Sequence, residues 1–164
     1  MILTRTAKEF YKNILIVSVI FIIDRISKLY VINLSKLNSD IEIFASSFLN
    51  IILIWNKGTA FGLFSFIESD LYNILSGFIL LVIIIVLILV FKSKGVKRLS
   101  YLLVFGGAIG NFYDRIIYKA VPDFIDFHIG NFHWFVFNVA DIFISIGVLC
   151  LILLELFYKN YEID

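Results

Sequence analysis

The stretch LYNILSGFILLVIIIVLILVF, residues 71–91, contains no charged side chain. At about 1.5 Å per residue, a helix of this length spans the roughly 30 Å hydrocarbon core of a bilayer. Three further stretches reach comparable length: 14–34, 99–118 and 136–157. The expectation is an all-α integral membrane protein with four transmembrane helices, at about 14–34, 71–91, 99–118 and 136–157. Outer loops 35–70 and 119–135 would form a small extracytoplasmic β-containing region, and residues 1–164 a single domain.

Composition points the same way. The chain is 61% hydrophobic, holds 18 Phe, is only 16% charged and has a mean hydropathy of +0.99. That excludes an apolar core under a polar skin. A formal net charge of +1 without a basic stripe excludes nucleic acid as a partner and leaves membrane lipids. The single Cys150 rules out an intramolecular disulfide and, inside the fourth stretch, reads as a packed thiol. The first stretch is too long for a signal-peptide apolar region, and no small-residue cleavage site follows it, so it is expected to stay as an anchor.

Charges outside these stretches orient the chain. Arg5, Lys8 and Lys12 precede the first, and Lys92, Lys94, Lys97 and Arg98 lie between the second and third. The positive-inside rule therefore places both termini and the 92–98 connection in the cytoplasm. On the outer side Trp55, Trp134, Phe61, Phe64, Phe66 and Phe132 suit a headgroup-level aromatic belt. Residues 41–56, rich in β-branched and aromatic side chains, predict a strand pair, and residues 58–66 a membrane-hugging segment.

Charges inside the stretches carry the functional signal, because an intramembrane ionisable group is costly and faces a bundle interior or a wet cavity. Asp24 falls near the midplane with Lys28 one turn on, spaced for an ion pair. Asn111, Asp114 and Arg115 share a face of the third helix through i, i+3, i+4 spacing, and Asn138 and Asp141 share one on the fourth. Gly106 and Gly110, in small-xxx-small spacing, permit close helix packing.

Polar groups of three helices thus meet at one depth near the outer surface. Asp123, just past the third helix, and Asp141 form the best-placed carboxylate pair, with Asp126 the rival for the first position. Two close carboxylates that share a proton supply a base and an acid for peptide hydrolysis without a covalent intermediate. Other chemistries are thinner. His128 and His133 show no metal-ligand spacing with a cysteine or carboxylate, so no metal is expected. Ser27 and Lys28 are adjacent, hence about 100° apart on a helix, and do not read as a nucleophile and base. A proton or ion relay would need polar groups through the whole bilayer, yet 71–91 is dry. An assembly factor in which Asp24, Arg115 and Asp141 only pair helices predicts that Asp123→Asn and Asp141→Asn destabilise or spare the protein, and do not leave it folded and inactive.

At these residues the chain resembles the signal peptidase II family of bacterial aspartic peptidases. DRISK (24–28), NKGTAFGLF (56–64), GGAIGNFYDR (106–115) with VPDFIDF (121–127), and FNVAD (137–141) resemble its ordered blocks. The resemblance implies Asp123 and Asp141 as the catalytic pair, in preference to Asp126. It implies Asn56, Gly58, Asn111, Arg115 and Asn138 as substrate-positioning or dyad-supporting groups, with Asp24, Lys28 and Asp114 structural. The implied activity is removal of the signal peptide from a prolipoprotein, cleaving before its diacylglyceryl-modified cysteine. The implied setting is a bacterial cytoplasmic membrane, with no cofactor, a monomeric chain and the site toward the outer face. Arg25, Thr59, Pro122 and Ile142 depart from the usual pattern. Pro122 fixes its own φ and pushes Val121 toward extended backbone directly before Asp123.

Overall fold

The protein is described from a computed structural model, which defines residues 2–37, 42–58 and 69–158. Its elements are α1 (Ile2–Leu37), β1 (Glu42–Ala45), β2 (Leu49–Asn56), α2 (Ser69–Lys92), α3 (Gly95–Tyr118), β3 (Val121–Ile129), β4 (Phe132–Phe137) and α4 (Val139–Tyr158).

Among the described residues two helices, Tyr72–Lys92 and Val139–Phe157, are long and apolar enough to cross a membrane. Only 11% of each apolar window is buried within the protein. A core helix of a soluble protein would hide such residues; here Ile74, Phe78 and Leu81 of α2 and Leu149, Leu153 and Leu156 of α4 point outward. The natural solvent of those faces is hydrocarbon.

The interior is built differently. α3 packs against α4, α2 and α1, and its buried residues include Gly106, Gly107, Gly110, Asn111, Asp114 and Arg115. Small residues let the backbones approach, and polar residues then bond across the gap. A Cβ at Gly106 would lie 3.0 Å from Ile20 side-chain atoms, and one at Gly110 2.7 Å from Asp24 Oδ2, so this pair seats α1. Gly107 serves α4: an added Cβ would sit 2.5 Å from the Ala140 carbonyl oxygen. Because the obstacle is backbone, Gly107→Ala is expected to destabilise the protein by roughly 1–3 kcal/mol. The apparent melting temperature in detergent measures this, and an unchanged value would contradict the close α3–α4 seat.

α1 has 36 residues, not the 21 of the 14–34 expectation. At about 54 Å it is far longer than a bilayer core. Its polar early turns stay helical, and Glu9 meets Arg98 of α3 at 3.0 Å. The 92–98 connection contracts to Ser93 and Lys94, since α3 already begins at Gly95.

The four strands form one antiparallel sheet in the order β1-β2-β3-β4. β1 and β2 occupy the predicted 41–56 stretch, whereas the 58–66 expectation lies, but for Gly58, outside the described residues. Two expectations are corrected. Residues 119–135, expected as the second loop of the β-containing region with strands only at 41–56, supply β3 and most of β4. The fourth helix starts at Val139, because Val136 and Phe137 complete β4. Gly130 at φ +59 supplies the left-handed residue of the two-residue β3–β4 turn. Pro122 is tolerated in β3 because β4 pairs only with Ile125–Ile129, leaving β2 as its sole strand neighbour there.

Candidate active site

Asp123 enters the site from β3, directly after the extended Val121–Pro122 start of the strand. It is 4% exposed. Asn56, the last residue of β2, donates from Nδ2 to Asp123 Oδ2 at 2.9 Å, and Asn138 donates from Nδ2 to Oδ1 at 2.6 Å. Burial first, and the nearby Asp141 charge second, push the Asp123 carboxyl up to about 6; the two amides and Lys28 oppose the shift.

Asp141 is set by the start of α4. Asn138 precedes the helix, and its Oδ1 accepts the Asp141 N–H at 3.2 Å while Asp141 Oδ2 accepts the Asn138 N–H at 3.1 Å. This reciprocal pair has the logic of a capping box, satisfying two helix-end donors with two side chains. Ala140 N–H, the next orphan donor, is taken by Asp24 Oδ1 from α1 at 3.1 Å. Asn138 is fully buried and touches both aspartates, Asp123 through its amide and Asp141 through its backbone and side chain.

Asn111 bridges the dyad to the charges beneath it. Lys28 Nζ can only donate, so Asn111 turns Oδ1 toward it at 2.8 Å and gives Nδ2 to Asp141 Oδ1 at 2.7 Å. Lys28 completes its shell with Asp24 Oδ2 at 2.9 Å and Asp114 Oδ2 at 2.7 Å, all three side chains fully buried. Arg25 closes the cluster. Its guanidinium straddles Asp114 at 2.6 and 2.8 Å, reaches Asp24 at 3.3 Å and lies 5.0 Å from the Tyr113 ring centroid. Two acids and two bases therefore balance inside the bundle. Sequence reasoning treated Arg25 only as a departure; its signal was an unmatched acid, since Asp24 and Asp114 outnumber Lys28.

Arg115 lies within electrostatic reach of Asp123 and Asp141 but hydrogen-bonds to backbone carbonyls. Its Nη1 donates to the Asn111 carbonyl at 3.1 Å and its Nη2 to the Gly58 carbonyl at 3.0 Å. Gly58 N–H in turn donates to Asn56 Oδ1 at 2.8 Å. Arg115 and Gly58 thus fix the turn that presents Asn56 to Asp123.

Asp126 is not brought to this site. It lies three residues beyond Asp123 on β3, an odd step that turns its side chain to the other face of the sheet. The register shift of β2 between Ile51 and Ile54 follows the same change of face, so that Asn50 lies opposite Asp126. Asp126 contacts His133 at 2.8 Å and Asn50 at 3.5 Å.

Buried Asp123 and half-buried Asp141, tied through one asparagine at the edge of apolar helices, are the kind of carboxylate pair an aspartic peptidase needs. Residues 16–157 match the family described as Signal peptidase (SPase) II. The chain is 54% identical over 153 residues to the lipoprotein signal peptidase of Pelagibacter ubique (strain HTCC1062), covering 93% of this chain and 92% of that protein. It is 42% identical over 147 residues to the lipoprotein signal peptidase of Anaplasma phagocytophilum (strain HZ), covering 88% and 91%. A bacterial membrane enzyme solved by the in meso method at 2.3 Å resolution matches with a TM-score of 0.72 and 30% identity, over 92% of this chain and 91% of that one. The chain belongs to the signal peptidase II family of aspartic peptidases.

Proposed function

We propose that this chain removes the signal peptide from diacylglyceryl-modified prolipoproteins, cutting before the lipid-modified cysteine, with Asp123 and Asp141 as its catalytic pair. The observation that carries the assignment is Asn138, which donates to Asp123 at 2.6 Å and exchanges hydrogen bonds with Asp141 at 3.1 and 3.2 Å. In the resting pair Asp123 holds the shared proton. Asp141 takes a proton from a water whose oxygen attacks the scissile carbonyl, and Asp123 protonates the carbonyl oxygen. On collapse Asp141 protonates the leaving nitrogen and Asp123 recovers its proton, so the site is reset.

All four helices cross the bacterial cytoplasmic membrane in this reading, α1 and α3 included, because their charges are paired inside the bundle. The N-terminal part of α1 and the α2–α3 connection share one side, as the Glu9–Arg98 contact requires. Both termini are then cytoplasmic, and the sheet with its dyad is outside. A signal helix approaches laterally through lipid, and its acyl chains stay in hydrocarbon while the scissile bond reaches Asp123. The chain works as one domain and one copy.

The test is mass spectrometry of a diacylglyceryl-modified prolipoprotein incubated with the purified chain in lipid nanodiscs, beside the same precursor without lipid. Cleavage before the cysteine in the lipidated precursor alone is expected; cleavage elsewhere, or equal cleavage of both, would sink the reading.

The Asp123 shift also predicts a pH profile. Its proton is lost as pH rises through about 6 in the free enzyme, so kcat/KM is expected to decline on that side. The folded state holds this proton more tightly than the unfolded chain, whose ordinary value is 3.8. Stability from this group is therefore fully present below 3.8 and lost as pH rises through about 6. A kcat/KM that keeps rising through this range would contradict the assignment of the proton to Asp123.

A further inference from the structure

The sheet face turned away from the dyad carries a second polar cluster that peptide hydrolysis does not use. Asp126 and His128 are two residues apart on β3 and so share a face, and His133 of β4 lies directly opposite His128. One oxygen of Asp126 and one nitrogen from each imidazole lie within 4.8 Å of one another. Asp126 is 2% exposed and Asn50 8% exposed, yet Asp126 Oδ1, Asn50 Oδ1 and the buried His128 Nδ1 find no hydrogen-bond partner among the described residues. Such lone pairs are expensive when left unmet in a protein interior. Two of them, on Asp126 and His128, belong to residues of the cluster, where a carboxylate oxygen and an unprotonated imidazole nitrogen can each donate an electron pair to a cation.

We propose that Asp126, His128 and His133 form a binding site for a divalent transition-metal ion of the zinc type. Two imidazoles and one carboxylate suit zinc, whereas calcium and magnesium prefer shells of oxygen alone. Ligand atoms about 2.0–2.2 Å from one zinc lie roughly 3.3–3.5 Å apart. The present ligand atoms, within 4.8 Å of one another, lie close to that spacing. The 2.8 Å contact of His133 Nδ1 with Asp126 Oδ2 needs a proton between the two atoms, and a bound cation takes that proton's place. The His133 side chain is 54% exposed, which opens an entry path and leaves a coordination position for water. The site is therefore exchangeable, unlike a closed structural zinc centre.

Its consequence is mechanical. A cation shared by β3 and β4 pins the hairpin register only three residues from Asp123, on the strand that aims the catalytic carboxylate. The sequence makes the site easy to isolate: His128 and His133 are the chain's only histidines, and Cys150 is its only cysteine.

The experiment uses the untagged full chain in detergent, freed of metal by a chelator that is then removed. Zn²⁺ alone is titrated into it, with binding followed by calorimetry. One Zn²⁺ per chain is expected, with a rise in melting temperature. His128→Gln and His133→Gln should each weaken binding roughly tenfold or more, and the double variant should abolish it. Co²⁺ should give visible bands of a nitrogen and oxygen site without the charge-transfer absorption of a thiolate. Should the variants fail to fold, ¹⁵N resonances of the two imidazoles in the wild-type chain decide: both move on Zn²⁺ addition if the site exists. Imidazole resonances that do not move, no saturable uptake by the wild type, or uptake retained in a folded double variant would overturn the proposal and leave the Asp126–His133 contact as a simple hydrogen bond.

Discussion

Asp141→Asn is expected to lower kcat/KM on the order of 10³- to 10⁴-fold while leaving a folded protein. The carboxylate oxygens of Asp141 each accept one hydrogen bond, from Asn111 Nδ2 at 2.7 Å and from the Asn138 backbone at 3.1 Å. An amide at this position keeps one acceptor and turns an NH₂ group toward one of those donors. Asn111 cannot flip to relieve the clash, because Lys28 holds its oxygen. The structural penalty is about 1–3 kcal/mol, and removal of a half-buried charge partly offsets it. Activity falls much further, since an amide cannot take a proton from water. Asp123→Asn should be equally inactive, for it cannot deliver one. Ser27→Ala is the control: its hydroxyl only donates to the Asp24 carbonyl of its own helix at 2.8 Å, so turnover should persist. Cleavage by either aspartate variant at more than a tenth of the wild-type rate, measured at matched melting temperature, would remove that residue from the chemistry. Loss of turnover in Ser27→Ala would point instead to a serine nucleophile.

How much of this was legible in advance depended on whether the interaction was local along the chain. The apolar lengths of α2 and α4 fixed their nature, and helical spacing placed Asp24 with Lys28, Asn111 with Asp114 and Arg115, and Asn138 with Asp141. Each set is one turn apart, so a helix period alone aligns it. The β3–β4 hairpin was missed because VPDFIDFHIGNFHWFVF (121–137) was read for its aromatics, which suit a headgroup belt as well as a strand. The Gly130–Asn131 pair between two β-prone runs was the available signal. Missing that hairpin hid the alignment of His128 with His133, since cross-strand register is invisible to linear ligand spacing. It also hid why Asp126 faces away from the dyad, which takes the odd step from Asp123 and the irregular register of β2 together. Arg25 was obscure for a related reason: its partner Asp114 lies 89 residues away, and only the packing of α1 on α3 joins them.

Lys28→Met should cause the largest stability loss of any single substitution in the bundle. Lys28 is fully buried and gives its three protons to Asp24, Asn111 and Asp114 at 2.9, 2.8 and 2.7 Å. A methionine of similar volume fills the space but leaves Asp24 and Asp114 to share Arg25, with an unbalanced negative charge in a dry interior. Breaking one side of a buried ion pair costs roughly 3–5 kcal/mol, equivalent to about 10 °C or more in melting temperature for a chain of this size. A catalytic consequence should accompany it. Asn111 loses the partner that orients it, and Asp123 loses a positive charge that restrains its carboxyl from rising further. The alkaline fall of kcat/KM should therefore move to higher pH, an effect that packing damage alone would not produce. Adding Asp114→Asn restores the charge balance, leaving Asp24 with Arg25. The double variant should recover much of the lost stability, whereas independent sites would add their losses. A double variant less stable than Lys28→Met would show that charge balance is not what holds α1 against α3.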